Sequence, residues 1–196
     1  MKSIFKNTLV FAYLLFFAMS FRYINPNSFF KKDTQFIYDV NHNGLQYALT
    51  LKITKVNDGF SFDWQTDKPL NKKGSVSIHD SAMQNANAIF SSFNQDKVEL
   101  TNQTSIVISD KMFESWKGSS SMEIAPDATK SIKSIFGNGY NHTQNFEYKN
   151  NNSNELECRT VSDKDGYSIT YLNDANFPII VEMNLDWSIK LRKIVD

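Results

Sequence analysis

The chain has almost no cysteine: Cys158 is the single thiol in 196 residues. One cysteine cannot form an internal disulfide, so the fold must be held by its apolar core alone. An excess of either charge is also missing. Lysine plus arginine and aspartate plus glutamate each number 21, a formal net charge of zero. With no basic field to concentrate a polyanion, nucleic-acid binding falls out of contention. The apolar stretch from Leu9 to Met19 is shorter than the roughly 18 to 20 residues a helix needs to span a bilayer. Catalytic signatures are equally sparse. There is no Gly-x-Ser-x-Gly elbow and no glycine-rich phosphate loop, and His42, His79 and His142 stand too far apart for an HxH or HxxxH metal pair. Neither a metal nor a cofactor is expected.

What the N-terminus does contain is an ordered set of parts. Lys2 and Lys6 precede the apolar run, and Ala18 and Ser20 follow it as small residues. A charged region, an apolar region and a small-residue cleavage site in that order predict a secretory signal over residues 1–20, with an uncleaved anchor as the alternative because Phe21 and Tyr23 extend the apolar run. Residues 21–196 are then one domain, since no linker or repeat divides them. No cysteine stands near the cleavage point to take a lipid, so the expected product is free in the periplasm or secreted.

From Thr34 the apolar pattern has period two. Leu45, Tyr47, Leu49, Leu51 and Ile53 alternate with polar residues, and after Asn57-Asp58-Gly59 so do Phe60, Phe62 and Trp64. Two half-buried strands joined by a glycine turn are predicted. Val76 and Ile78 begin another. Met83, Ala86, Phe90 and Phe93 recur at helical spacing after Asp80, which predicts a helix capped by that aspartate. Ile106 to Ile108 read as a buried strand, and Asp110 as the cap of a short helix containing Met112, Phe113 and Trp116. Met122 and Ile124 form a brief alternation. The stretch 127–136 fits a helix or a strand, Gly137 and Gly139 mark a loop, and the polar run 149–155 reads as a hairpin loop. Beyond it, turns at Asp163-Lys164-Asp165-Gly166 and Asn173-Asp174-Ala175-Asn176 separate short alternating segments. The predicted fold is mainly β: an antiparallel meander curled into a barrel or half-barrel, with one or two short helices.

Chemistry has few places to reside. Cys158 with a histidine as base is the nucleophile such a chain offers, but its parity with Leu156 and Thr160 makes it a small core residue. Asp163, Asp165 and Gly166 resemble part of a calcium loop without its third acidic position or distal glutamate, and a turn accounts for them. Asp63 and Asp67 are a conceivable carboxylate pair for glycoside cleavage, and also ordinary surface acids. Aromatics are the one surplus, with 16 Phe, 8 Tyr and 3 Trp. Tyr47, Phe62, Trp64, Tyr167, Tyr171 and Trp187 are the candidates to line a pocket for an apolar ligand or a sugar, against the plainer reading as core.

The segments Lys73–Ile78, Ala82–Phe93, Leu100–Ser105 and Ile108–Phe113, with the closing Asn176–Ile180 and Trp187–Leu191, resemble uncharacterised exported β-rich proteins of Bacteroidota. That resemblance implies a bacterial envelope or secreted setting and supplies no activity. The expected role is therefore non-enzymatic: an exported protein binding an apolar ligand or an envelope partner on a curved sheet. The rivals are a hydrolase whose site assembles only in three dimensions and a purely structural protein.

Overall fold

A computed structural model describes residues 31–117, 122–124, 133–148, 152–185 and 187–195. The predicted export signal lies outside them. Alternation of apolar and polar residues makes the strands, and short turns chain them together. In order these are β1 (Gln35–His42), β2 (Leu45–Lys55), β3 (Phe60–Thr66), β4 (Lys73–Ile78), helix α1 (Asp80–Asn85), β5 (Lys97–Leu100), helix α2 (Asp110–Lys117), β6 (Met122–Ile124), β7 (Lys133–Tyr148), β8 (Asn152–Ser162), β9 (Ser168–Leu172), β10 (Ile180–Asn184) and β11 (Ser188–Val195).

The strands lie side by side in the order β5-β4-β3-β2-β1-β11-β10-β9-β8-β7-β6. Neighbours are antiparallel except β4 with β5, and a second parallel contact brings β7 back to β11 at Lys193 and Ile194. That contact closes a ring of five strands, β7 to β11. Strands β1 to β5 extend from it as an open wing. The meander predicted for the C-terminal third is present, as is the curl; the two parallel pairs are additions that local alternation does not reveal.

The hairpin turn predicted at Asn57-Asp58-Gly59 is present, and a second one was not foreseen. Asp58 and Gly59 both have positive φ, 52° and 95°, at the β2–β3 turn, and Asn43 and Gly44 repeat this between β1 and β2. Asp163 holds its turn through its carboxylate, whose Oδ1 accepts from the backbone N–H of Asp165 and of Tyr167, each at 2.9 Å. The calcium-like residues are thus a turn, their first carboxylate engaged by backbone amides.

Five expectations need correction. The Asp80 helix ends at Asn85, and Ala86, Ala88, Ile89 and Phe90 are buried in extended chain, where Ile89 bridges Thr104. Packing both faces of that segment outweighs its helical spacing. The helix caps also differ: α1 begins after His79 without a side-chain cap, while the Ser109 hydroxyl, not Asp110, accepts the Met112 N–H at 3.1 Å to cap α2. The glycine loop at 137–139 is strand, absorbed by a register shift between Phe136 and Tyr140, with Gly139 so close to the Thr160 carbonyl that a Cβ would lie 2.4 Å from it. Finally, Asn152 to Glu155 of the polar run belong to β8, each paired with β7. Residues 106–108 are buried as expected, but Val107 makes only an isolated bridge to Ile179.

The core runs without interruption from wing to ring. Phe36, Tyr38, Leu49, Leu51, Ile53, Phe62 and Val76 are fully buried on the wing, and Ile169, Tyr171, Ile180 and Val181 in the ring. Tyr38 ties the two by donating its hydroxyl to the Ile180 carbonyl at 2.9 Å. Among the described residues no helix is long and apolar enough to cross a membrane.

Candidate functional site

Packing sends four of the six aromatic candidates into the core. Phe62, Trp64, Tyr171 and Trp187 are between 0% and 6% exposed. Phe62 packs against Phe60 at 5.7 Å, and the other three gather in two places. Phe93 packs edge-on against Trp64 at 5.6 Å and against Trp187 at 5.9 Å, while Tyr171 contacts Phe113 and Trp116, each at 5.8 Å. Aromatic rings in such arrangements add packing energy, and none of these four offers an open face. Tyr47 and Tyr167 remain half-buried.

Across the β7–β8 ladder Cys158 stands directly opposite His142, the pairing a thiol nucleophile would require. The chemistry does not follow from the placement. Cys158 is fully buried, its thiol donates to the Leu156 carbonyl at 3.6 Å, and burial pushes its pKa up to about 12. A thiol held protonated is a poor nucleophile. His142 meets Gln144 instead, at 3.1 Å, and stacks on the exposed Tyr140. His42 and His79 are exposed at strand and helix ends. Asp63 and Asp67 fall in different grooves, and Asp67 Oδ1 accepts the Ala48 N–H at 2.7 Å. Among the described residues no three His, Cys, Asp or Glu side chains converge as a metal site.

Among the described residues two concavities stand out. The larger, about 720 Å³, crosses the joint between wing and ring, from β2 over β1, β11 and β10 to β9. Tyr47, Val40, Met183 and Ile189 border it, but strand alternation turns their side chains to the opposite, core face, where the last three are at most 3% exposed, so the surface of the groove is polar. Burial raises the Tyr47 pKa, so the phenol stays neutral. Its charges are matched in pairs: Arg192 Nη1 sits 3.0 Å from Asp39 Oδ1, and Lys190 Nζ 3.3 Å from Glu182 Oε2. Registers explain the row, since Asp39 faces Lys190 and Lys190 faces Glu182 across three strands. Sequence reasoning found Tyr47 but missed these four residues. Each is an unremarkable polar position in its own strand, and only the β1–β11 pairing, between opposite ends of the domain, brings them together.

The smaller concavity, about 620 Å³, lies on the wing beside Trp64 and Gly74. Lys52 near its edge is 2.8 Å from Asp33 and faces Asp63; the ammonium holds the Asp33 carboxyl below its usual range.

No protein-family model matches the chain, and no curated protein or solved structure matches it significantly.

Proposed function

We propose that this chain is an exported, non-enzymatic binding protein, acting in the periplasm or outside the cell, and that it holds a protein partner across the β2–β1–β11–β10–β9 groove. The observation that carries this reading is the polar row that crosses the joint, the Asp39–Arg192 and Glu182–Lys190 pairs with exposed Gln46 and Asn184 beside them. A shallow concavity of paired charges and amides offers the hydrogen bonds and charge complementarity of a protein interface rather than an apolar pocket. The row favours a protein over a wholly apolar ligand, which would have to strip water from four charges without replacing it. Export is supported by the ordered signal-like segment at residues 1–20.

The test places a benzoylphenylalanine photo-crosslinker at exposed Gln46, beside the groove, in the source cells, with exposed Glu114 on α2 as the control position. A discrete adduct from position 46, absent from position 114 and lost in Arg192→Glu, is the expected result. No adduct, or the same adduct from both positions, sinks the reading.

A further inference from the structure

Two asparagines of the chain precede glycine, Asn43 and Asn138. The dipeptide is chemically the same in both places, and the fold treats them in opposite ways. Asn43 and Gly44 form the exposed tip of the β1–β2 hairpin, with φ of 54° and 78°. The ladder ends at the His42–Leu45 pair, so the Gly44 nitrogen lies beyond it, and a Cβ on Gly44 would meet nothing within 4 Å. Among the described residues the Asn43 amide nitrogen meets the exposed ring of His42, at 3.3 Å. A loop tip held by so little opens readily. Gly139 sits inside β7 instead, where a Cβ would lie 2.4 Å from the Thr160 carbonyl oxygen and 2.8 Å from the Val161 side chain.

We infer that Asn43 is a self-modification site, at which the Gly44 backbone nitrogen displaces the side-chain amide. In mildly alkaline water the Gly44 N–H gives its proton to hydroxide, and the nitrogen bonds to Asn43 Cγ. The Cγ–Nδ2 bond breaks, and the departing nitrogen takes a proton from water and leaves as ammonia. Water then opens the resulting succinimide ring at either carbonyl, which yields aspartate or isoaspartate. Glycine matters at the attacking position because a side chain there would narrow the backbone angles open to the approach. Conversion turns a neutral tip into a carboxylate, and isoaspartate adds a carbon to the backbone path of the turn. That tip lies one pair beyond Asn41–Gln46, both of which border the joint groove, so ageing changes charge and register at the rim of that groove. The chemistry stands whether or not the groove holds a partner.

Purified protein kept in warm, mildly alkaline buffer, with and without urea, is digested and read by mass spectrometry with electron-transfer fragmentation, which separates aspartate from isoaspartate. Without urea Asn43 is expected to convert at least about tenfold faster than Asn138, because reaction inside β7 waits for that strand to open. In urea the two should convert alike, since only the dipeptides then matter. Hydroxylamine, which cleaves a succinimide, should release from the native protein a fragment ending at Asn43. The inference is overturned if Asn43 stays intact in the native protein, if Asn138 converts as fast as Asn43 there, if the gap between them persists in urea, or if hydroxylamine leaves the turn uncut.

Discussion

Strand β3 on the wing buries every second residue, Phe60, Phe62, Trp64 and Thr66, and leaves Asp63 and Gln65 in water. Strand β9 in the ring buries four in succession, Ile169, Thr170, Tyr171 and Leu172. The wing is therefore an open sheet with one apolar face, and the ring is enclosed. Enclosure leaves polar positions to be satisfied from within: Thr170 finds Thr160, with hydroxyl oxygens 2.7 Å apart. The difference teaches where binding surface is available. Polar side chains of the wing and of the joint are free to meet a partner, whereas the innermost strand of the ring is committed to packing.

The sharpest way to break this contrast is to place a charge on β9. Thr170→Lys should cost about 3 kcal/mol or more, because the ammonium replaces a 6% exposed hydroxyl, and urea denaturation would show it. A near-neutral result would mean that the ring is not enclosed. Alkali comes next. Cys158 and Tyr171, with ordinary values of 9.0 and 10.0, are both pushed up to about 12 by burial. A raised folded pKa means that stability is complete below pH 9 and declines as pH climbs from 9 to 12, when the unfolded chain gives up protons the folded chain retains. Urea midpoints measured across that range should fall, and Cys158→Ala should flatten the earlier part of the decline.

A smaller loss is expected from Tyr38→Phe, about 1 kcal/mol, since it removes the hydroxyl donated from wing to ring and leaves the Ile180 carbonyl unmet. Lys193→Met, which opens the 2.5 Å ion pair with Glu147 where β11 meets β7, should cost about 0.5 kcal/mol, since both partners keep partial contact with water. That difference should shrink in high salt. Gln65→Ala on the wing should fall within about 0.5 kcal/mol of the parent, and a larger change would show that the wing's polar face is structural.

The same contrast explains what could be read in advance. Wing strands β2 and β3 and their Asp58-Gly59 turn were legible because one face is wet and period two survives. Segment 86–90 was misread as helix because its apolar residues are buried in extended chain, where helical spacing carries no information. Tyr47, which borders the groove, was recognisable by type alone. Its neighbours Asp39, Lys190, Glu182 and Arg192 were not, because their meeting depends on register between distant strands.

That register has a consequence for the order of assembly. Strand β1 has β2 on one side and β11 on the other, and the Tyr38–Ile180 hydrogen bond spans 142 positions of chain. A chain emerging from its N-terminus therefore presents β1 with an unfilled edge until β11 has appeared. The native sheet is completed only once β11 is made, by a loop closure over all the strands between, and the waiting edge is where a newly made molecule is most open to pairing with a neighbour.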